Sequence, residues 1–229
     1  MLFFWFTAFL FVSVPQTNPR NPHNLPVVNS VKEYLDLVKK DSSRALVDLE
    51  KFIPGIVLDV RYATTDNITK KVLYRQPRAF LLKPAAVQLK KVREELAKEG
   101  LGIKIFDGYR PYAVTLLLWD AIKDDRYAAP PEKGSRHNRG CAVDLTLIDL
   151  KTGKELEMPT PYDDFSEKAH LNYMKLPAHV IENRGKLITL MKKHGFETIT
   201  SEWWHYDLKG WGVYPLLDLS FEELDTVHK

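Results

Sequence analysis

Two short segments carry residue types that can do hydrolytic chemistry together. Ser135-Arg136-His137-Asn138-Arg139-Gly140-Cys141-Ala142-Val143-Asp144 supplies an imidazole and, seven residues on, a carboxylate. Glu202-Trp203-Trp204-His205 supplies a second imidazole and a second carboxylate. A mononuclear zinc hydrolase needs three protein ligands, an open position for water and a general base beside it. Two imidazoles, one ligand carboxylate and one spare carboxylate make that set. The pattern His-x2-Gly-x-Ala-x-Asp fixes four residue types and arises by chance in roughly one in a thousand chains of this length, whereas Glu-x2-His alone arises in about a quarter of them. The second motif therefore draws its weight from lying downstream of the first, in an apolar aromatic segment.

Each motif also has a plainer reading. Asp144 falls within the apolar stretch from Cys141 to Leu147, where an unpaired carboxylate is expensive and a metal would compensate it. The alternative is a surface histidine and an ion-paired aspartate. In a strand, residues 203 and 205 share one face and Glu202 points the other way. Glu202 and His205 can then reach one metal only if the strand begins after Glu202, at a bend that Thr200-Ser201 would allow. The alternative is a core histidine packed among tryptophans. A third constellation is Asp107-Gly108-Tyr109-Arg110-Pro111. A guanidinium at such a turn can polarise a carbonyl and hold an oxyanion, or it can simply pair with Asp107. Cys141 reads as a small buried residue rather than a nucleophile, because no partner constellation needs it.

These residues need elements to hold them. Ser30 with Glu33 forms a capping box ahead of a helix whose apolar face is Val31, Tyr34, Leu35 and Val38. Ile56 to Arg61 reads as a strand. Pro84 to Glu99 reads as a helix, with Pro84 in its first turn and Gly100 as its stop. Ile103 to Phe106 alternates as a strand, and a helix follows from Pro111 through Ile122. Asp124 to Gly134 reads as a surface loop. Cys141 to Ile148 reads as a buried strand, Ala178 to His194 as the last long helix, and Phe196 to Ile199 and Trp203 to Leu208 as two short strands. Helices and strands mix without regular βαβ alternation, so the expected class is α+β, a mainly antiparallel central sheet flanked by helices.

The 229 residues fit one domain of ordinary size, expected over 30–229, and 45% hydrophobic content supports a core without disulfides. The single cysteine excludes an intrachain disulfide and a cysteine-rich zinc cluster. With a net charge of +3 and no dense basic run, nucleic acid is not an expected partner. Residues 1–14 are almost wholly apolar, too short to span a bilayer as a helix but suited to the apolar region of a signal peptide. Export, to a periplasm, is the expectation, with a cytoplasmic location as the alternative, and no stable membrane span is expected. Residues 15–29, rich in Pro and Asn, read as a linker. Nothing in the sequence sets the oligomeric state.

From about Ile56 to Asp207 the chain resembles the bacterial zinc D-alanyl-D-alanine dipeptidases, part of a wider group with D,D-carboxypeptidases and the hedgehog signalling domain. The likeness rests on Arg61-Tyr62-Ala63-Thr64-Thr65-Asp66-Asn67, the Asp-Gly-Tyr-Arg-Pro segment, Ser135 to Leu147, Met158 to Phe165 and Glu202 to Tyr206. It implies one zinc ion at the sheet, held by His137, Asp144 and His205, with Glu202 as general base and acid and Arg110 stabilising the intermediate. It also implies that Ser135 and Asp163 lie near the amino end of a small D,D-dipeptide and Tyr62 near the active site. The implied reaction is hydrolysis of D-alanyl-D-alanine to two D-alanines. Alternatives are a D,D-carboxypeptidase or endopeptidase acting on longer cell-wall peptides, and a zinc module without catalysis. Arg136 and Cys141 stand where the family often has serine, Pro159 where it has glycine after Met158, and Ile68 where it has phenylalanine.

Overall fold

The computed structural model describes residues 19–227; the apolar segment 1–14 and His228 lie outside them. In chain order the elements are β1 (Val27–Val28), α1 (Val31–Lys40), β2 (Leu46–Asp48), α2 (Leu49–Phe52), β3 (Val57–Leu58), β4 (Phe80–Leu82), α3 (Lys83–Ala97), β5 (Leu101–Asp107), α4 (Tyr112–Ile122), β6 (Ala142–Asp149), α5 (Ala178–Lys193), β7 (Phe196–Thr198), β8 (His205–Leu208), β9 (Leu216–Leu217) and α6 (Phe221–Val227). The chain is of the α+β class. Its main sheet has five strands in the order β3-β5-β6-β8-β7. The β5–β6, β6–β8 and β8–β7 pairs are antiparallel and β3–β5 is parallel, so the sheet is mixed. The long crossover from β3 to β5 through α3 is what allows a parallel pair.

Helix α3 forms where the sequence demands it. Pro84 sits in its first turn, and Ala85, Leu89, Val92 and Leu96 recur at helical spacing and are buried. Gly100 follows in the left-handed conformation, φ +73°, which glycine adopts without penalty. This helix packs on β5, and α5 packs on β6 and β7. Lys193 and His194 hold Glu95 at 2.6 and 2.9 Å, and Lys186 pairs with Glu99, which ties the two helices side by side. Strand β6 lies at the sheet's centre and is buried along nearly its whole length, as a strand covered on both faces must be.

Several boundaries differ from the sequence expectation. The strand expected over Ile56–Arg61 pairs only at Val57 and Leu58, because the chain turns into a 3₁₀ turn at Arg61–Ala63. Ser30 caps α1 as expected, its Oγ accepting from Glu33 N at 3.3 Å, but Leu35 faces solvent. The stretch read as linker takes part in the fold: β1 pairs with β9, and Arg20 Nε donates to Asp218 Oδ2 at 3.0 Å. Strand β8 begins at His205, not Trp203.

Candidate active site

The register of the central sheet assembles the site. Asp107 at the end of β5 lies opposite Asp144 on β6, and Asp144 lies opposite His205 at the start of β8. Residues paired across strands share a face, so three polar side chains stand in one row. Because β8 starts at His205, Glu202 sits on the bend before it, the condition under which it can face the same centre. His137 comes from a 3₁₀ turn, His137–Arg139, just ahead of β6. Gly140 closes that turn at φ +63°, and a Cβ there would lie 2.6 Å from Leu46 Cδ2 and 2.9 Å from Leu82 N. Only glycine fits both the backbone and the space.

His137 Nε2, Asp144 Oδ1 and His205 Nδ1 converge. The separations are 3.5 Å from His137 to Asp144, 3.0 Å from His205 to Asp144 and 3.3 Å between the imidazoles. All three residues are buried, and together they are a group able to hold a metal ion. Each is oriented by a partner behind it. His137 Nδ1 donates to the Gly108 carbonyl at 2.7 Å; a carbonyl can only accept, so Nε2 keeps its lone pair for the centre. His205 Nε2 lies 3.0 Å from Asp207 Oδ1, leaving Nδ1 inward. Asp144 Oδ2 accepts the Tyr162 hydroxyl at 3.0 Å.

The electrostatics favour a cation here. Burial works against a charged His205 ring, yet the Asp207 and Asp144 carboxylates outweigh it and hold the ring's pKa well above the usual value. Burial also opposes an ionised Asp144, but the two imidazoles keep its carboxyl below the ordinary range. Glu202 behaves in the opposite way. Desolvation pushes its carboxyl up to about 8, with the Asp144 and Asp163 charges adding to the shift and His205 and Arg110 opposing it. Its Oε2 lies 3.9 Å from His205 Nδ1. That distance places the carboxyl beside the group that could hold a metal ion.

Arg110 is buried and does pair with Asp107, as the plainer reading of that turn has it: its Nε and Nη2 donate to Asp107 Oδ2 at 3.0 and 2.7 Å. Asp107 Oδ1 accepts from Tyr74 and from Gly108 N, both at 2.9 Å. The guanidinium carbon lies 5.1 Å from the Tyr62 ring centre, and Arg110 still lines the cleft. Tyr62 in turn donates to Asp163 Oδ2 at 3.2 Å. Asp163 adopts φ +61°, a conformation aspartate tolerates better than most residues. Desolvation, then the Asp144 charge, pushes its carboxyl up to about 7. Ser135 Oγ accepts from His137 N at 3.2 Å, so it shapes the histidine's turn while lining the same cleft. That cleft has a volume of about 380 Å³ and brings Tyr62, Arg110, Ser135, Asp163 and Glu202 together with His137, Asp144 and His205.

Sequence reasoning missed three supports. Asp207 follows His205 by two residues and so shares its strand face, a signal present in the period-two pattern. Asn138 is fully buried and ties the His137 turn to Arg110, donating to Arg110 O at 2.9 Å and Thr115 Oγ1 at 2.8 Å and accepting from Ser135 N at 2.7 Å. Tyr162 stands beside Asp163 and reaches Asp144 across 18 residues. Arg136 places its Nε 3.4 Å from Asp207 Oδ2 and its guanidinium over the Trp211 ring.

The profile of the D-Ala-D-Ala dipeptidases, peptidase family M15, matches residues 42–222. The D-alanyl-D-alanine dipeptidase of Escherichia coli K12 is 39% identical over 172 residues, covering 75% of this chain and 89% of that protein. The protein of the same description from Enterococcus faecium is 32% identical over 181 residues, covering 70% and 90%. A solved LD-carboxypeptidase structure aligns at 20% identity with a TM-score of 0.42, over 73% of this chain and 69% of that one. With most of its length matched by the profile and by full-length relatives, the chain belongs to the D-Ala-D-Ala dipeptidase family of metallopeptidases.

Proposed function

We propose that the protein is a zinc dipeptidase that hydrolyses D-alanyl-D-alanine to two D-alanines in cell-wall peptide metabolism. The observation that carries this is the triangle of His137 Nε2, Asp144 Oδ1 and His205 Nδ1 with Glu202 beside it. Ligand atoms about 2.0–2.1 Å from a tetrahedral zinc ion lie about 3.3 Å apart, and the three separations of 3.0 to 3.5 Å fit that spacing. The donors are nitrogen and oxygen, the set used by catalytic zinc, and three of them leave a fourth position open. When bound, zinc polarises the scissile carbonyl and lowers the pKa of water.

The chain's own groups supply the rest. Glu202 accepts a proton from the attacking water and passes it to the leaving amine. Arg110, held in place by Asp107, offers positive charge to the developing oxyanion. Asp163, oriented by the Tyr62 hydroxyl, pairs with the free ammonium of the dipeptide. Ser135 fixes the turn that aims His137. Export to a periplasm belongs to the same proposal, on the apolar composition of residues 1–14; among the described residues no helix is long and apolar enough to cross a membrane.

The test is release of free amine from D-Ala-D-Ala by the zinc-loaded protein, run beside an amino-blocked D-Ala-D-Ala peptide. Cleavage of the free dipeptide in preference to the blocked peptide is expected. Preference for the blocked peptide would move the assignment to a carboxypeptidase, and cleavage of neither would overturn the peptidase reading.

A further inference from the structure

Two loops border the cleft, residues 123–134 after α4 and residues 159–177 between β6 and α5. Each is fixed at its base. In the first, Asp124 accepts from Arg126 N and Ala128 N at 3.0 Å, and Tyr112 donates to Pro131 O at 3.0 Å. In the second, Trp203 Nε1 donates to Thr160 Oγ1 at 2.9 Å, and Arg184 reaches from α5 to the carbonyls of His170 and Tyr173 at 3.0 and 2.9 Å. Between these anchors the loops meet ring to ring. Tyr127 and Phe165 stack with centroids 4.4 Å apart and planes inclined by 27°. Phe165 continues the contact to Trp204, at 6.3 Å, next to His205. Both stacked residues line the cleft. Among the described residues, no hydrogen bond or ion pair joins the two loops.

We propose that Tyr127 and Phe165 form an aromatic clasp that closes the cleft beyond the substrate's amino end and sets the length of peptide admitted. This rests on reading Asp163 as the partner of the substrate ammonium. Phe165 follows Asp163 by two residues, and both line the same cleft with Tyr127, so the stacked rings border the space an added residue would have to enter. An added residue there would bring a peptide N–H and C=O against two stacked rings, which offer neither a carbonyl nor an amide to satisfy them. Asp163 selects the charge of the amino end, and the clasp excludes what would lie past it. The two discriminations are separable, because one is electrostatic and the other steric.

The experiment compares kcat/KM of the zinc-loaded enzyme for D-Ala-D-Ala and for the tripeptide D-Ala-D-Ala-D-Ala, losing its C-terminal residue. Wild type, Tyr127→Ala, Tyr127→Phe and Phe165→Leu are measured, with thermal melts to confirm folding. Apolar pockets that exclude bulk discriminate by roughly 10–200-fold, so the tripeptide-to-dipeptide ratio should rise about tenfold in Tyr127→Ala. Phe165→Leu should raise it in the same direction, and Tyr127→Phe, which keeps the ring, should stay at the wild-type ratio. A rise below ~3-fold in both ring-deleting variants overturns the clasp, as that falls beneath the weakest such discrimination. An equal rise in Tyr127→Phe also overturns it, by assigning the effect to the hydroxyl. Wild type inactive on the dipeptide would instead overturn the proposed function, a different arm of the same data.

Discussion

Replacing Asn138 with alanine tests whether the support of the site, rather than its ligands alone, holds the centre together. Asn138 makes three side-chain hydrogen bonds from a fully buried position: it accepts from Ser135 N and donates to Arg110 O and Thr115 Oγ1. At about 1 kcal/mol net per bond the direct loss is about 3 kcal/mol, and the buried groups left unpaired bring the total to about 3–5 kcal/mol. For a chain of this size each kcal/mol moves Tm by roughly 2–4 °C, so a drop on the order of 10 °C is expected. The measurement is urea unfolding of the metal-free protein, with Tm by calorimetry alongside. The same variant loosens the turn carrying His137 and the segment carrying Arg110, so zinc should pass more readily to a competing chelator. A stability loss under ~1 kcal/mol, within the range of a single exposed bond, would refute the clamp assigned to Asn138.

Four further outcomes follow from the same geometry. Glu202→Ala should lower kcat by at least ~10²-fold while a chelator titration still finds one zinc per chain; a fully active variant would remove Glu202 from proton transfer. Asp207→Asn, which exchanges the carboxylate facing His205 Nε2 for an amide, should weaken zinc affinity by about 10–100-fold; unchanged affinity by competition titration would show that the ring needs no such partner. In the role proposed for it, Asp163, raised to about 7, pairs with the ammonium only when ionised. Protons therefore compete with substrate as pH falls below 7, and KM for D-Ala-D-Ala should climb by up to about tenfold per unit. In Asp163→Asn that acid limb should vanish from the KM profile, and its persistence would assign the titration elsewhere. Gly108→Ala would place a Cβ 2.6 Å from the Phe80 carbonyl oxygen, and the backbone shift needed to relieve it would displace the carbonyl that orients His137. Lower Tm and weaker zinc binding together are expected, and loss of neither would show that the contact relaxes freely.

Long helices with clear punctuation were legible in the sequence. Pro84, the Ala85-Leu89-Val92-Leu96 spacing and Gly100 define α3 to within two residues at its C-terminal end. Short pairings were not. Phe80-Leu81-Leu82 is a three-residue apolar run that suits helix or strand equally, and it becomes β4 only because Leu46–Asp48 pairs with it. Likewise β1 and β9 are two residues each and gain their identity from one another across the chain. The candidate metal ligands were readable by residue type, since imidazoles and carboxylates in apolar segments are conspicuous. Their supports were not: Asn138 occupies a position of its motif that carries no metal chemistry, and its partners Arg110 and Thr115 lie 28 and 23 residues away.

What links the legible and the hidden parts is strand register. Asp107, Asp144 and His205 come from three segments whose separations in the chain carry no information, and the β5–β6–β8 pairing sets them in one row. Cross-strand neighbours stand about 4.5–5.5 Å apart at Cβ, close enough for side chains to converge on one ion. A slip of one residue in β8 would turn His205 to the opposite face and carry Asp207 with it. A slip of β6 itself would exchange Val143, Leu145 and Leu147 with Asp144 and Thr146 across its two faces. Among the described residues the sheet's register shifts between Ile105 and Asp107 on β5, where two β5 steps oppose one on β6, as in a bulge. Asp107, just past that irregularity, pairs with Arg110. One row of paired residues therefore carries both halves of the proposed site: Asp144 and His205 stand among the candidate metal ligands, and Asp107 pairs with Arg110.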